Sequence, residues 1–222
     1  MSAAERGITV FVDIDGTQNR LAPPPVKTAV ALFRGKLTLP LKDKPLEGAK
    51  PKRGVGRMWS LFFHGMRPFS RNSQKGLEIF KQTAQATERT IKLAVISGRE
   101  FELHEMTRRR LLKAGRMDYL EEVRLSTVKS SSGFKEYEIR QEVEKGNAAV
   151  LVEDDLLAAL RVERINEDYE DNPVLVYLLR NPSNAQWLRR RGNVELPENV
   201  VPVGSFQEAA NDFAIRVAKG RF

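Results

Sequence analysis

The sequence predicts an α/β protein, a three-layer sandwich with a mostly parallel central sheet and a basic insert after the first strand. Three observations carry that prediction. Short apolar runs rich in β-branched residues alternate with amphipathic stretches, the pattern of parallel strands joined by crossover helices. The 222 residues are 41% hydrophobic and 30% charged, a globular composition long enough to bury a sizeable core. One long Pro-rich, Lys/Arg-rich segment interrupts the alternation near the start.

Taken in order, the strands are expected at Ile8 to Ile14, Ile91 to Ile96, Val123 to Val128, Ala148 to Val152, Val174 to Leu179 and Val200 to Val203. The helices between and after them are expected at Gly76 to Glu88, Arg99 to Ala114, Phe134 to Lys145, Leu156 to Ile165, Ala185 to Arg191 and Phe206 to Ala218. The last opens on Ser205-Phe-Gln-Glu208, a capping box, and aligns Phe206, Ala209, Ala210, Phe213 and Val217 on one apolar face. Residues 21–72 separate the first strand from its helix by far more than the usual βα loop of about 2 to 6 residues. The expected organisation is therefore a core domain of residues 1–20 and 73–222, with residues 21–72 forming a cap or partner-binding segment.

Charge is distributed unevenly between these parts. The whole chain carries a formal +8. The insert holds Lys27, Arg34, Lys36, Lys42, Lys44, Lys50, Lys52, Arg53, Arg57, Arg67 and Arg71 against Asp43 and Glu47, so it accounts for the entire excess. Such a field favours anionic partners, namely a phosphorylated small molecule, nucleic acid or an acidic surface. The chain has no cysteine, which excludes disulfides, a thiolate zinc site, an iron-sulfur cluster and a cysteine nucleophile. No apolar run approaches the ~20 residues needed to cross a bilayer, and Met1 to Arg6 is too polar for a secretory leader, so a cytoplasmic protein without a membrane partner is expected.

The residue types that carry chemistry fall at strand ends. The first strand ends in Val10-Phe-Val-Asp-Ile-Asp-Gly-Thr17. Its two carboxylates, Asp13 and Asp15, are spaced i, i+2, and a turn at Asp15-Gly16 can fan them around one reaction centre as a nucleophile beside a general acid. An ordinary polar strand end followed by an Asp-Gly turn is the plainer alternative. A calcium loop would need a closing glutamate, whereas Leu21, Ala22 and Pro23 follow. The second strand ends in Ile96-Ser-Gly-Arg-Glu100, where Ser97 and free backbone N–H groups could hold a phosphate oxygen, or where Ser97 and Glu100 could simply form a capping box. The fourth ends in Glu153-Asp-Asp155: one acid serves as a helix N-cap, while three in a row repel unless a cation or a lysine neutralises them. Hard oxygen donors of that kind suit Mg²⁺. Lys129 and Lys135 lie upstream. His64 and His104 show no ligand pattern, and Trp59 and Trp187 with Arg189 to Arg191 read more simply as packing anchors than as a stacking surface.

Asp-x-Asp-Gly-Thr, Ser-Gly-Arg, a lysine and Glu-Asp-Asp, arriving in that order, resemble the haloacid dehalogenase-like (HAD) hydrolase superfamily over Ile8 to about Ile165. The resemblance implies a Rossmann-like core and a Mg²⁺-dependent phosphotransferase centre acting on a phosphorylated substrate. Asp13 would be the nucleophile that becomes an aspartyl-phosphate and Asp15 the general acid and base. Ser97 would hold a phosphoryl oxygen, Lys135 or Lys129 would neutralise the anions, and Asp13, Asp15, Glu153 and Asp154 would hold the metal. Gly16, Thr17, Gly98 and Arg99 fall on the substrate side of the same motifs. Within the superfamily, Ser97-Gly-Arg-Glu100, Met106-Thr-Arg-Arg109, Lys135-Glu-Tyr-Glu-Ile139 and Glu153-Asp154 look most like the phosphatase domain of phage-type polynucleotide kinases, which favours Lys135 over Lys129. The chain departs from that pattern in lacking a nucleotide-binding P-loop, in its longer insert, in Glu153 where aspartate is usual and in Asp155 where a basic residue is typical. A non-catalytic nucleic-acid-binding protein retaining the fold is the competing expectation.

Overall fold

The computed structural model describes residues 6–14, 71–100, 103–126, 131–171, 173–181, 184–185 and 195–222. Nearly all of the basic insert, together with Asp15, Gly16, Thr17, Lys129, His64, both tryptophans and Arg189 to Arg191, lies outside the described residues.

The elements in chain order are β1 (Ile8–Asp13), α1 (Arg71–Ala86), β2 (Ile91–Glu100), α2 (His104–Lys113), β3 (Glu122–Ser126), α3 (Ser131–Glu144), β4 (Ala148–Glu153), α4 (Leu156–Glu163), a 3₁₀ turn (Arg164–Asp168), β5 (Val174–Leu179), β6 (Val200–Val203) and α5 (Phe206–Ala218). The strands form one six-stranded sheet in the order β3-β2-β1-β4-β5-β6. Every neighbouring pair is parallel. β1, β4 and β5 are buried along their whole length because helices cover both faces of the sheet, which is why they read as unbroken apolar runs rather than alternating ones.

Side-chain alternation divides the core between the two faces. Ile8, Val10 and Val12 of β1 join Leu77 and Phe80 of α1 and Phe206 and Phe213 of α5 on one side. Phe11, Ala94 and Ile96 join Phe134 and Ile139 of α3 and Leu156 and Val162 of α4 on the other. The contact between α1 and α5 is close at Gly76, where a Cβ would stand only 2.2 Å from the Phe206 ring. Any side chain there would drive the two helices apart.

Three element boundaries depart most from the sequence expectation, and α3 also begins earlier, at Ser131 rather than Phe134. α1 begins at Arg71 rather than Gly76, its first turn being polar and lacking the apolar spacing that marks a helix. β2 continues through Ser97 to Glu100, because the strand keeps pairing with β3: Ser97 lies opposite Leu125 and Glu100 opposite Ser126, with a register shift between them. Ser97 therefore lies within the strand and does not open the helix that the Ser97 to Glu100 pattern predicts. α2 starts later, at His104, and its N-cap Leu103 makes no side-chain cap hydrogen bond. The capping box at Ser205 to Glu208 forms, since Ser205 Oγ accepts the Glu208 N–H at 3.1 Å and Glu208 reaches back to the Gly204 N–H at 2.7 Å. No helix among the described residues is long and apolar enough to cross a membrane.

Candidate active site

In an open parallel sheet, ligands bind beyond the carboxyl ends of the strands where the connection order reverses. Here that point lies between β1 and β4, the two central strands. β1 delivers Asp13 to it and β4 delivers Glu153, both buried despite their charge. Asp13 pairs in register with Ile96, so Ser97 on β2 falls one residue beyond on the neighbouring strand.

A buried cation joins the two carboxylates. Lys135, in the second turn of α3, donates from Nζ to Asp13 Oδ1 at 2.9 Å and also to Glu153 Oε2. Burial disfavours the ammonium, but the Coulombic pull of Asp13 and Glu153 and the hydrogen bonds to both outweigh it, holding the Lys135 proton above the ordinary lysine range. Of the two lysines considered from sequence, Lys135 stands among the acids, while Lys129 is outside the described residues.

The acidic triplet splits into separate tasks. Glu153 Oε1 accepts the backbone N–H groups of Asp154 and Asp155, each at 3.0 Å. Asp155 is the N-cap of α4, accepting from the N–H of Leu157 at 2.9 Å and of Ala158 at 3.4 Å. Asp154 remains directed at the site: Asp13, Glu153 and Asp154 each offer a carboxylate oxygen, and these oxygens lie within 4.8 Å of one another. Two of these carboxylates bond the one ammonium, and the donor set of all three is hard oxygen. That chemistry fits a divalent cation such as Mg²⁺.

The β2 end is tightly built. Ser97 is buried and its Oγ accepts the Arg99 N–H at 3.3 Å. Arg99 is itself buried and donates to Thr107 Oγ1 of α2 at 3.3 Å, so the Thr107 that follows Met106 anchors the arginine from the next helix. Gly98 has no room for a side chain, since a Cβ would come within 1.9 Å of Ser131 Oγ at the start of α3. Its glycine thereby sets how closely the Ser97 turn and the lysine-bearing helix approach. His104 lies 3.9 Å from Glu105 on the same helix turn.

Two residues of this region carried no signal in the sequence reading. Asn181 and Asn184, just beyond β5, both donate side-chain N–H groups to the Asp154 main-chain carbonyl, at 2.7 and 3.0 Å. An asparagine shortly after a strand is common enough that position alone would not have marked either one.

Comparison with solved structures places this architecture. The chain is similar to a haloacid dehalogenase-like hydrolase from Streptococcus pneumoniae, at 10% identity and TM-score 0.51, over 95% of this chain and 99% of that one. It is also similar to an archaeal β-phosphoglucomutase from a hyperthermophilic Pyrococcus species, at 13% identity and TM-score 0.52, over 96% and 99%. A HAD-superfamily hydrolase of subfamily IA from Geobacter sulfurreducens matches at 13% identity and TM-score 0.48, over 92% and 98%. No protein-family model matches the sequence, and no curated protein matches it either. At these identities the two likenesses with TM-scores above 0.5 establish the fold alone, a Rossmann-like α/β sandwich with an all-parallel sheet.

Proposed function

We propose that this chain is a Mg²⁺-dependent phosphomonoester hydrolase working through an aspartyl-phosphate on Asp13, with the phosphorylated end of a nucleic acid as its substrate. The observation that carries the chemistry is the convergence of the Asp13, Glu153 and Asp154 carboxylates, the first two bonded to Lys135, at the reversal point of the sheet. A Mg²⁺ held by Asp13, Glu153 and Asp154, with Asp15 completing the set, supplies charge neutralisation for an anionic ester approaching a carboxylate.

The residues of the chain do the rest. An Asp13 carboxylate oxygen attacks phosphorus as the ester P–O bond breaks, and Asp15 gives its proton to the leaving alkoxide. Asp15 then takes a proton from water, whose oxygen attacks phosphorus; the bond to Asp13 breaks and inorganic phosphate leaves. Ser97, Gly98 and Arg99 bind phosphoryl oxygens at the end of β2 together with Gly16 and Thr17. Lys135 keeps Asp13 in place and offsets the crowded negative charge, an electrostatic role that needs no proton transfer. Acid–base assistance of the kind assigned to Asp15 is worth roughly 10² to 10⁴ in rate.

The substrate class rests on the basic insert and on the motif resemblance to the phosphatase domain of phage-type polynucleotide kinases. Each phosphate neutralised contributes a slope of about −0.9 on duplex DNA and about −0.7 on a single strand in log affinity against log salt. KM for a phosphate-ended oligonucleotide should therefore rise steeply with salt. Replacing Lys50, Lys52, Arg53 and Arg57 by Ala should flatten that dependence and leave kcat on a small phosphate ester nearly unchanged. A shallow salt effect with no oligonucleotide binding would remove nucleic acid as the substrate. Tight oligonucleotide binding without phosphate release from any ester would instead favour a non-catalytic binding protein.

A further inference from the structure

The geometry points to Asn181 and Asn184 as positioning residues for the cation site, acting through the Asp154–Asp155 peptide rather than through any contact with metal or substrate. This inference rests on the reading of Asp154 as a Mg²⁺ ligand. The peptide is held from both of its polar ends. Its carbonyl oxygen accepts the Asn181 Nδ2–H at 2.7 Å and the Asn184 Nδ2–H at 3.0 Å. Its N–H, that of Asp155, donates to Glu153 Oε1 at 3.0 Å. A carbonyl has two lone pairs, and here both have an amide donor. With the peptide plane fixed, the main chain leaves the Asp154 carboxylate only its own side-chain torsions with which to move.

The asparagines are themselves locked. Asn181 Oδ1 accepts the Asn184 backbone N–H at 2.8 Å, which orients its amide so that nitrogen, not oxygen, faces Asp154. Asn184 is buried and shares its amide between the Asp154 and Leu179 carbonyls, the second at 3.2 Å, tying the acidic loop to the end of β5. β5 lies beside β4, with Leu178 opposite Glu153, so the segment following β5 reaches back across one strand. Partners that hold metal ligands in this indirect way are typically worth 10- to 100-fold in metal affinity.

A second buried asparagine provides the control. Asn166, in the 3₁₀ turn, makes the same kind of paired bond, to the Val174 carbonyl and N–H at 2.9 Å each, but at the opposite end of β5. The experiment is calorimetric titration of the full-length chain with Mg²⁺ alone, paired with chemical unfolding in metal-free buffer. Asn184→Ala should weaken Mg²⁺ binding by about 10-fold or more, with kcat at saturating Mg²⁺ falling far less. Asn181→Asp, which keeps the acceptor for Asn184 but turns an oxygen toward the Asp154 carbonyl, should weaken it similarly and secures the test should Asn184→Ala fail to fold. Asn166→Ala should lose stability and keep the wild-type Mg²⁺ affinity. Mg²⁺ affinity unchanged in folded Asn181 and Asn184 variants would overturn the inference, as would equal weakening by Asn166→Ala. A wild-type chain that binds no Mg²⁺ would overturn it together with the metal reading, a result distinct from the other two.

Discussion

Helix α3 presents two buried charges, Lys135 and Glu142, seven residues and therefore about two turns apart on one face. Their surroundings are opposite in kind. Glu142 is a single carboxylate ringed by donors: Lys145 at 2.8 Å, Arg124 at 3.2 Å, Asn147 at 3.2 Å and the Thr9 hydroxyl at 3.2 Å. Burial alone pushes its carboxyl up, but the hydrogen bonds from Lys145, Arg124 and Asn147 outweigh that and hold it at about 2, well below the usual carboxylate range. Lys135 is a single ammonium bonded to two acids, Asp13 and Glu153, whose carboxylates also lie near that of Asp154. The first cluster ties α3 to the amino end of the sheet with its charge answered. The second, among the described residues, gathers three carboxylates at the carboxyl end of the sheet, a donor set that could hold a metal ion.

The comparison can be broken most severely at Lys135. Lys135→Met leaves Asp13 and Glu153 buried without their ammonium, a loss expected to cost about 3–5 kcal/mol of stability. Because a bound cation then takes over neutralisation, added Mg²⁺ should restore more stability to this variant than it adds to the wild type. Urea unfolding with and without Mg²⁺ measures both. An unchanged midpoint would mean that the ammonium is not what holds the carboxylates.

Glu142→Gln tests the other cluster and has a pH signature. A carboxyl lowered in the folded state stabilises above its unfolded value and loses that contribution as pH falls through its folded value. Here the window runs from about 4.5 down to about 2. The variant should be less stable than the wild type by about 3 kcal/mol at neutral pH, and the gap should close as pH falls through that window. It should not change Mg²⁺ affinity. Smallest of all, Asp155→Ala should remove the α4 cap at a cost of about 1 kcal/mol and leave phosphate release nearly intact. A larger rise in the Mg²⁺ concentration needed for activity in that variant than in Asp154→Ala would shift the ligand assignment by one residue within the triplet.

These two clusters also mark what the sequence could disclose. The strands were legible because a sheet covered on both faces demands unbroken apolar runs, and Val174 to Leu179 and Val200 to Val203 coincide with the observed limits. Asp13, Glu153 and Asp154 stand out in the sequence as carboxylates at the ends of the first and fourth strands, each with a plain structural explanation when taken singly, and the structure brings the three together. Lys135 emerged from motif resemblance, since one lysine among many has no local mark. The Ser97 to Glu100 capping box misled because the local pattern carries no information about β3, whose continued pairing keeps that segment extended. The clamp by Asn181 and Asn184 was invisible for a related reason: its acceptor is a main-chain carbonyl, which every residue possesses. The Glu142 network joins residues as far apart as Thr9 and Glu142 and could be seen only after folding.

The most direct test is phosphate release from a phosphate-ended oligonucleotide and from a small aryl phosphate by the wild type and by Asp13→Asn, each with Mg²⁺ and with chelator, alongside mass spectrometry of the acid-quenched wild-type reaction. The wild type should release phosphate only with Mg²⁺ and show a phosphoryl adduct on the peptide carrying Asp13. Asp13→Asn should remain folded, lack the adduct and lose at least ~10³-fold in rate, as removal of a covalent nucleophile does elsewhere. Wild-type turnover in Asp13→Asn, or undiminished release in chelator, would contradict the account.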